Sequence, residues 1–325
     1  MVSSGFNFIR NLLEKGTKCN ISCIDSMTYA AEPFINEKIK FLEDNKVHIY
    51  KYAIFDPKVS VALSLENTDT IVNFAAETHV DNSIASPGPF ITSNIVGVFN
   101  LLEFAALLKL RFHQIGTDEV YGPTTPEMGI NENSQLVPSS PYSATKASAD
   151  MLVLSYARTF GVNATISRCT NNFGPWQHEE KLLPKTICNA LKGKKIPVYG
   201  DGMQRRHWIY VDDHNDAVMK ILQHGKPGEI YNIAPPKENL ITNIDLIKMV
   251  LAKLGKSEDL IKFVKDRPGH DGCYFLYGDK IKEECGYDSS SRDFKKDLDY
   301  TIDWYSSKLS KRKKKSPLPE LKPEE

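Results

Sequence analysis

Short apolar runs alternate with amphipathic stretches along most of this chain. Ile21–Asp25 (ISCID), Lys46–Asp56 (KVHIYKYAIFD), the start of Thr70–Ser83 (TIVNFAAETHVDNS), Arg111–Thr117 and Ala164–Cys169 read as buried strands. Asn94–Lys109 places its apolar residues at helical spacing, and Lys146–Thr159 continues a helix that begins near Tyr142. Strand alternating with helix predicts an α/β fold: a doubly wound, mostly parallel sheet with helices on both faces and a smaller C-terminal lobe over the strand ends. From Lys308 onward charge and proline dominate, so 307–325 is expected to be a disordered charged tail, with Lys311–Lys315 as its basic stretch.

Composition removes several function classes. Forty-one basic residues balance 41 acidic ones, so no overall charge favours nucleic acid. No uninterrupted apolar run approaches the ~18–20 residues of a membrane span, and the N-terminus lacks the basic segment and apolar core of a secretory signal. The expectation is a cytoplasmic protein. Six cysteines without a C-x-x-C pair fit reduced thiols there, and no metal site is expected.

Candidate chemistry concentrates in Gln114–Asp150. Asp118 and Glu119 follow Thr117 at the end of a strand-like run; a loop rich in Pro, Ser and Asn then leads to Tyr142 and Lys146. Four residues apart on a helix, the last two share a face. A Lys ammonium close to a Tyr phenol favours the phenolate and draws the Tyr toward general-base duty. Adjacent carboxylates titrate as a pair, and repulsion helps to keep one of them protonated.

The segments TDEVYG and SSPYSATK resemble the active-site region of the extended short-chain dehydrogenase/reductases, and specifically the nucleotide-diphosphate-sugar 4,6-dehydratases. The resemblance spans roughly residues 5–305. It implies a Rossmann-like NAD-binding domain over 1–172, a mainly substrate lobe over 173–306 with segments returning to the first domain, and a homodimer built on the helices around Asn94–Lys109 and Lys146–Thr159. It implies NAD as a bound catalyst and a nucleotide-diphosphate hexose, dTDP-glucose foremost, as substrate, with no nucleic acid or membrane partner. Tyr142, helped by Thr117 and Lys146, would take the C4 hydroxyl proton as C4 is oxidised. Glu119 would remove the C5 proton, and a protonated Asp118 would donate to the departing C6 hydroxyl. For the cofactor the resemblance points to Gly5, Asp25, Thr28, Ala75, Ala76 and Asn94 beside Tyr142 and Lys146. For the substrate it points to His79, Ser83, Asn172, Glu180, Lys181, Arg206, Asn232, Arg267 and His270, with Asp81 near the sugar.

The chain departs from that pattern at its start. The family opens with a strand and a T-G-G-x-G-F-I-G-S turn, whose glycines let the backbone approach the pyrophosphate. Here MVSSGFNFIR runs straight into the helix-like NFIRNLLEKG, and Gly5 alone could correspond to a fingerprint glycine. The first strand is expected to be missing. Ala53 and His207 stand where the family usually has Asp, and Glu179 where it has Pro. Three readings stay open: a 4,6-dehydratase, a non-catalytic nucleotide-sugar-binding relative with a degenerate NAD site, and a related epimerase or decarboxylase. The Asp118–Glu119 pair disfavours the last.

Overall fold

A computed structural model describes residues 3–28, 34–289 and 292–315. It opens on a helix, α1 (Ser3–Glu14); no strand precedes it among the described residues. β1 (Ser22–Ile24), α2 (Ile35–Asp44), β2 (His48–Tyr50), α3 (Lys58–Leu65) and β3 (Thr70–Asn73) follow in strict alternation. After α4 (Val80–Ala85), α5 (Gly88–Ile91) passes through a π-helical turn at Thr92–Val96 into α6 (Gly97–Leu108). β4 (Arg111–Ile115), α7 (Pro141–Phe160) and β5 (Ala164–Cys169) carry the chain through the middle of the main sheet.

The second half crosses between the lobes. β6 (Asn171–Phe173), α8 (Leu182–Leu191), β7 (Ile196–Tyr199) and β8 (Arg205–Tyr210) build the smaller lobe. α9 (Val211–His224) and β9 (Ile230–Ile233) return to the first lobe. The chain goes back with β10 (Leu240–Thr242), α10 (Asn243–Lys253) and β11 (Ile261–Val264), then ends in α11 (Asp279–Cys285) and α12 (Phe294–Lys315). The main sheet runs β3-β4-β5-β9, all parallel, and β1 pairs in parallel with β2 in a separate two-stranded sheet. The small lobe holds β10-β8-β6 and β11-β7.

Parallel strands with both faces covered need near-continuous apolar sequence, and the cores follow that rule. Leu63, Val98, Leu102, Phe112 and Val153 pack on one face of the main sheet; Phe8, Leu12, Ala217, Ile221 and Ile281 pack on the other. The small lobe closes around Phe173, Leu183, Trp208, Leu246 and Ile302. Several polar side chains lie deep in the main sheet, His113 and Gln114 among them. His113 on β4 hydrogen-bonds Thr165 (2.8 Å) and Ser167 (3.1 Å) on β5, and burial pushes its pKa down to about 3, so it stays neutral.

Two sequence expectations change here. α12 continues to Lys315, so 307–315 is helical and not a disordered tail; 316–325 lies outside the described residues. Its Lys308 reaches Glu37 and lies over the Trp176 and Trp304 rings, contacts that sequence composition hides. Gly88–Leu108 also forms one 21-residue helix that is long and apolar enough to cross a membrane by length and composition alone. Thr92, Ser93, Asn94, Asn100 and Glu103 interrupt the run and conceal it in a linear reading. One side of this helix packs on the sheet through Val98, Leu101, Leu102 and Ala105.

Candidate active site

The site forms where β4 ends against the start of α7. Thr117 caps a short 3-10 turn, Asp118–Tyr121, by accepting a hydrogen bond from the Glu119 N–H (3.3 Å). Gly122 closes the turn at φ 77°, where an added Cβ would fall 2.3 Å from the Val137 carbonyl oxygen. Both carboxylates are thereby fixed at the carboxyl end of the sheet. Ser140 begins α7 with a capping box: its hydroxyl accepts from the Ser143 N–H, and the Ser143 hydroxyl accepts from the Ser140 N–H. Pro141 supplies a preset first helical residue. Tyr142 and Lys146 thus lie on the first turns of a well-anchored helix, 7% and 4% exposed.

One cleft joins these groups. Its lining includes Thr117, Asp118, Glu119, Tyr142 and Lys146 with Ala76, Asn172, Glu180 and Lys181. The first residues of α1, Ser3 and Ser4, line it too, as do Asn7, Phe74, Thr78, Gln177 and His178. The Thr117 hydroxyl donates to Asp118 Oδ1 (3.1 Å), while Asp118 Oδ2 and Asn172 Oδ1 are buried with no hydrogen-bond partner among the described residues. The Lys181 ammonium donates to the Thr78 carbonyl (2.7 Å) and is drawn toward Glu180 and Glu119.

The electrostatics separate the two carboxylates in part. Burial, then repulsion from Glu119, pushes Asp118 up to about 7, so it holds a proton near neutrality. Burial raises Glu119 as well, but Arg206, Lys181 and Arg267 pull it back toward the anion. Both carboxylates are therefore raised, Asp118 with Glu119 repelling it and Glu119 with three cations opposing its rise. The expectation for Tyr142 fails. Its pKa stands well above the usual phenol value, first because it is buried and then because Glu119 faces it, with Thr117 acting in the opposite direction. Lys146 is not among its main influences; the ammonium is buried, shifted down, and donates to the Ile115 carbonyl (2.7 Å).

Several residues expected to meet ligands have other attachments. Asn94 holds both the N–H and the C=O of Glu77 and also Thr145, which locks the loop after β3 onto α7. The Ser83 hydroxyl accepts from the Tyr142 N–H and donates to Val80, so it positions α7 and does not face the cleft. Asn232 is fully buried, with its amide on Tyr121 and Ile130. His79 caps α4 through the Asn82 N–H. These roles are invisible to a motif, which gives a residue's identity but not where its lone pairs point.

The small lobe contributes charge. The Arg206 guanidinium lies 4.4 Å from the Tyr274 ring centre and donates to the Asp271 carbonyl (3.0 Å). Arg267 faces Asp81 at 3.6 Å, Tyr199 donates to the same carboxylate (2.9 Å), and His270 pairs with Asp266 (2.6 Å). Asp81 therefore ties the first lobe to the second. At the far end Asp25 accepts from the Met27 N–H (2.7 Å) beside the buried Lys38, which burial pushes down to about 8. Thr28 is exposed, and Ala75 donates its N–H to Asn73. Gly5 sits where an added Cβ would meet the Phe74 side chain at 3.1 Å, so it serves close helix packing. Ser3, Ser4 and Thr78 were not foreseen in the cleft; the departure at the N-terminus hid the first two.

Comparison with known proteins agrees with this geometry. The family model for the NAD dependent epimerase/dehydratase family matches residues 4–234. A dTDP-glucose 4,6-dehydratase of Mycolicibacterium smegmatis is 40% identical over 308 residues, covering 94% of this chain and 91% of that one. One from Escherichia coli is 37% identical, covering 94% and 92%. Among solved structures, the dTDP-glucose 4,6-dehydratase of Streptomyces venezuelae with NAD bound superposes with a TM-score of 0.89 at 36% identity over 95% of each chain. A UDP-glucuronic acid 4-epimerase of Bacillus cereus reaches 0.87 at 25% identity, over 94% of this chain and 96% of its own. With its parallel sheet, its Tyr142–Lys146 helix and a family match over most of its length, the chain belongs to the NAD-dependent epimerase/dehydratase family.

Proposed function

We propose that this chain is an NAD-dependent 4,6-dehydratase of a nucleotide-diphosphate hexose, with dTDP-glucose as substrate and the 4-keto-6-deoxy sugar as product. One observation carries the reading: Asp118 and Glu119 sit side by side in the Tyr142 cleft, with Asp118 held protonated near neutrality. An epimerase has no water to expel and no use for an acid poised in this way.

The cleft fits the cofactor at two points. Thr117, Tyr142, Lys146 and Ala76 line the cleft and would hold the reacting ring, and α1 begins in the same cleft, where its first N–H groups would favour a pyrophosphate. Bound NAD supplies the oxidation at C4 and the later reduction at C6. The protein's residues manage the protons. Tyr142 takes the proton of the C4 hydroxyl; Thr117 favours its phenolate against the burial and the Glu119 charge that raise the phenol. Once C4 is a ketone, the C5 proton is acidic and Glu119 removes it. Asp118 gives its proton to the C6 oxygen, which leaves as water, and Glu119 returns a proton to C5 as C6 is reduced. Arg206, Lys181 and Arg267 favour the ionised form of Glu119, which is the form that can accept a proton, and favour a diphosphate in the cleft. The cytosol suits its six cysteines, none of which forms a disulfide among the described residues and five of which are buried.

The assay is turnover of dTDP-glucose against UDP-glucose, read as a product lighter by one water. Dehydration of dTDP-glucose, reduced about 10²–10⁴-fold in Glu119→Gln, is expected. Epimerised product of unchanged mass, or none with either sugar, refutes the reading.

A further inference from the structure

Residues 78–81 of the first lobe take three contacts from the small lobe, and two of them end on one carboxylate. α4 begins at Val80 with His79 as its cap, which sets Asp81 on the first turn. In the small lobe β7 and β11 run parallel with Tyr199 beside Val264, so the chain leaving β11 brings Arg267 close to the Tyr199 hydroxyl. Both side chains reach across. The Tyr199 O–H donates to Asp81 Oδ2 (2.9 Å), and a terminal nitrogen of Arg267 lies 3.6 Å from Asp81 Oδ1. Three residues earlier, the Thr78 carbonyl takes the third contact, from Lys181 (2.7 Å).

Arg267 is held but not used up. Its contact with Asp81 is longer than a hydrogen bond, and its Nε is buried with no hydrogen-bond partner among the described residues. A guanidinium carries five donors in a planar fork that matches phosphate oxygens. Here a counter-charge fixes the fork while donors stay open. Arg267 and Lys181 both act on Glu119, which puts this fork beside the carboxylates of the cleft. Neighbours keep the arrangement firm: the Tyr199 ring meets His270 edge-on with centres 6.0 Å apart, and His270 pairs with Asp266 (2.6 Å), leaving Asp81 to Tyr199 and Arg267.

We propose that Asp81 is a positioning residue for the substrate: it joins the lobes and presets Arg267 for the diphosphate of a nucleotide sugar, without touching the ligand itself. This role rests on the reading of the cleft as a nucleotide-diphosphate site. An isolated surface ion pair is worth little; a carboxylate that gathers donors from two separate segments of the other lobe fixes geometry as well. Ordering a long side chain before the ligand arrives removes part of the cost of binding. Were Asp81 instead a competitor for Arg267, its loss would tighten binding, so the sign of the effect decides.

The test is calorimetric binding of dTDP to the full chain, which needs no turnover. The Asp81 side chain is 36% exposed, so replacing it does not open the core. Asp81→Asn keeps the shape and removes the charge; it should weaken dTDP binding about tenfold, and Asp81→Glu should recover part of the loss. In an Arg267→Met background Asp81→Asn should weaken binding less than about twofold further, because the group through which it acts is gone. A merely structural loss would add in full. With dTDP-glucose, KM should rise about tenfold while kcat stays within about threefold. Unchanged or tighter dTDP binding in Asp81→Asn, full additivity with Arg267→Met, a loss confined to kcat, or a parent that binds no dTDP overturns the proposal. A parent that binds dTDP and shows these binding effects, but does not dehydrate dTDP-glucose, defeats the dehydratase reading alone.

Discussion

Asp118 is the residue whose environment says most about the chemistry. A carboxyl with its pKa near 7 in the folded protein, against about 3.9 when unfolded, binds its proton more tightly when folded. The stability this brings is complete below the unfolded value and is lost as pH rises through about 7. Asp118→Asn removes that dependence. Relative to the parent, the variant should gain on the order of 2–4 kcal/mol at pH 8 and little at pH 4, read from denaturant unfolding at both pH values. Its dehydration rate should fall about 10²–10⁴-fold, because an amide cannot protonate the leaving oxygen. In the parent, turnover should decline on the alkaline side as Asp118 ionises through about 7. A second residue test concerns Arg168, 1% exposed, whose Nε donates to the equally buried Asp150 at 2.8 Å. Arg168→Met leaves a buried carboxylate unpaired and should cost about 3–5 kcal/mol, measured by chemical denaturation.

At the scale of elements, the capped start of α7 holds Tyr142 and Lys146 in place. Ser140→Ala removes the half of the capping box in which the Ser140 hydroxyl accepts from the Ser143 N–H, keeps the half donated by its own N–H, and should cost about 1 kcal/mol of stability, seen as a lower Tm. Turnover should fall further than that loss explains, since the first turn carries Tyr142. This part of the site was legible in the sequence: Thr117, Asp118, Glu119, Tyr142 and Lys146 lie in one stretch whose turn and cap residues are themselves readable. What lay beyond reading depends on burial and direction. The sequence shows Lys146 four residues from Tyr142, but not that the ammonium reaches Ile115 while burial and Glu119 raise the phenol. It shows Asn94, Ser83 and Asn232, but not that their polar atoms are occupied by Glu77, Tyr142 and Tyr121. α12 was missed to Lys315 because its charged composition masks its contacts with Trp176 and Trp304.

For the whole molecule, the alternation of strands and helices gave the architecture, and no strand precedes α1 among the described residues. We further propose that α6 and α7 form a dimer interface: Phe99, Leu107, Met151 and Phe160 are exposed on them. Replacing Phe99 and Leu107 together by Glu should convert a dimer to a monomer in light scattering; a parent that is already monomeric contradicts that arrangement. The central claim concerns catalysis, and isotope incorporation tests it most directly. The purified chain is incubated with dTDP-glucose and NAD in deuterated water, and the sugar nucleotide is analysed by mass spectrometry and NMR. The account predicts a product that has lost one water and gained deuterium from the solvent at C5, where Glu119 takes the proton. Loss of water without solvent deuterium at C5 would contradict the role given to Glu119, and recovery of unchanged dTDP-glucose across pH ~6–9 would contradict dehydration altogether.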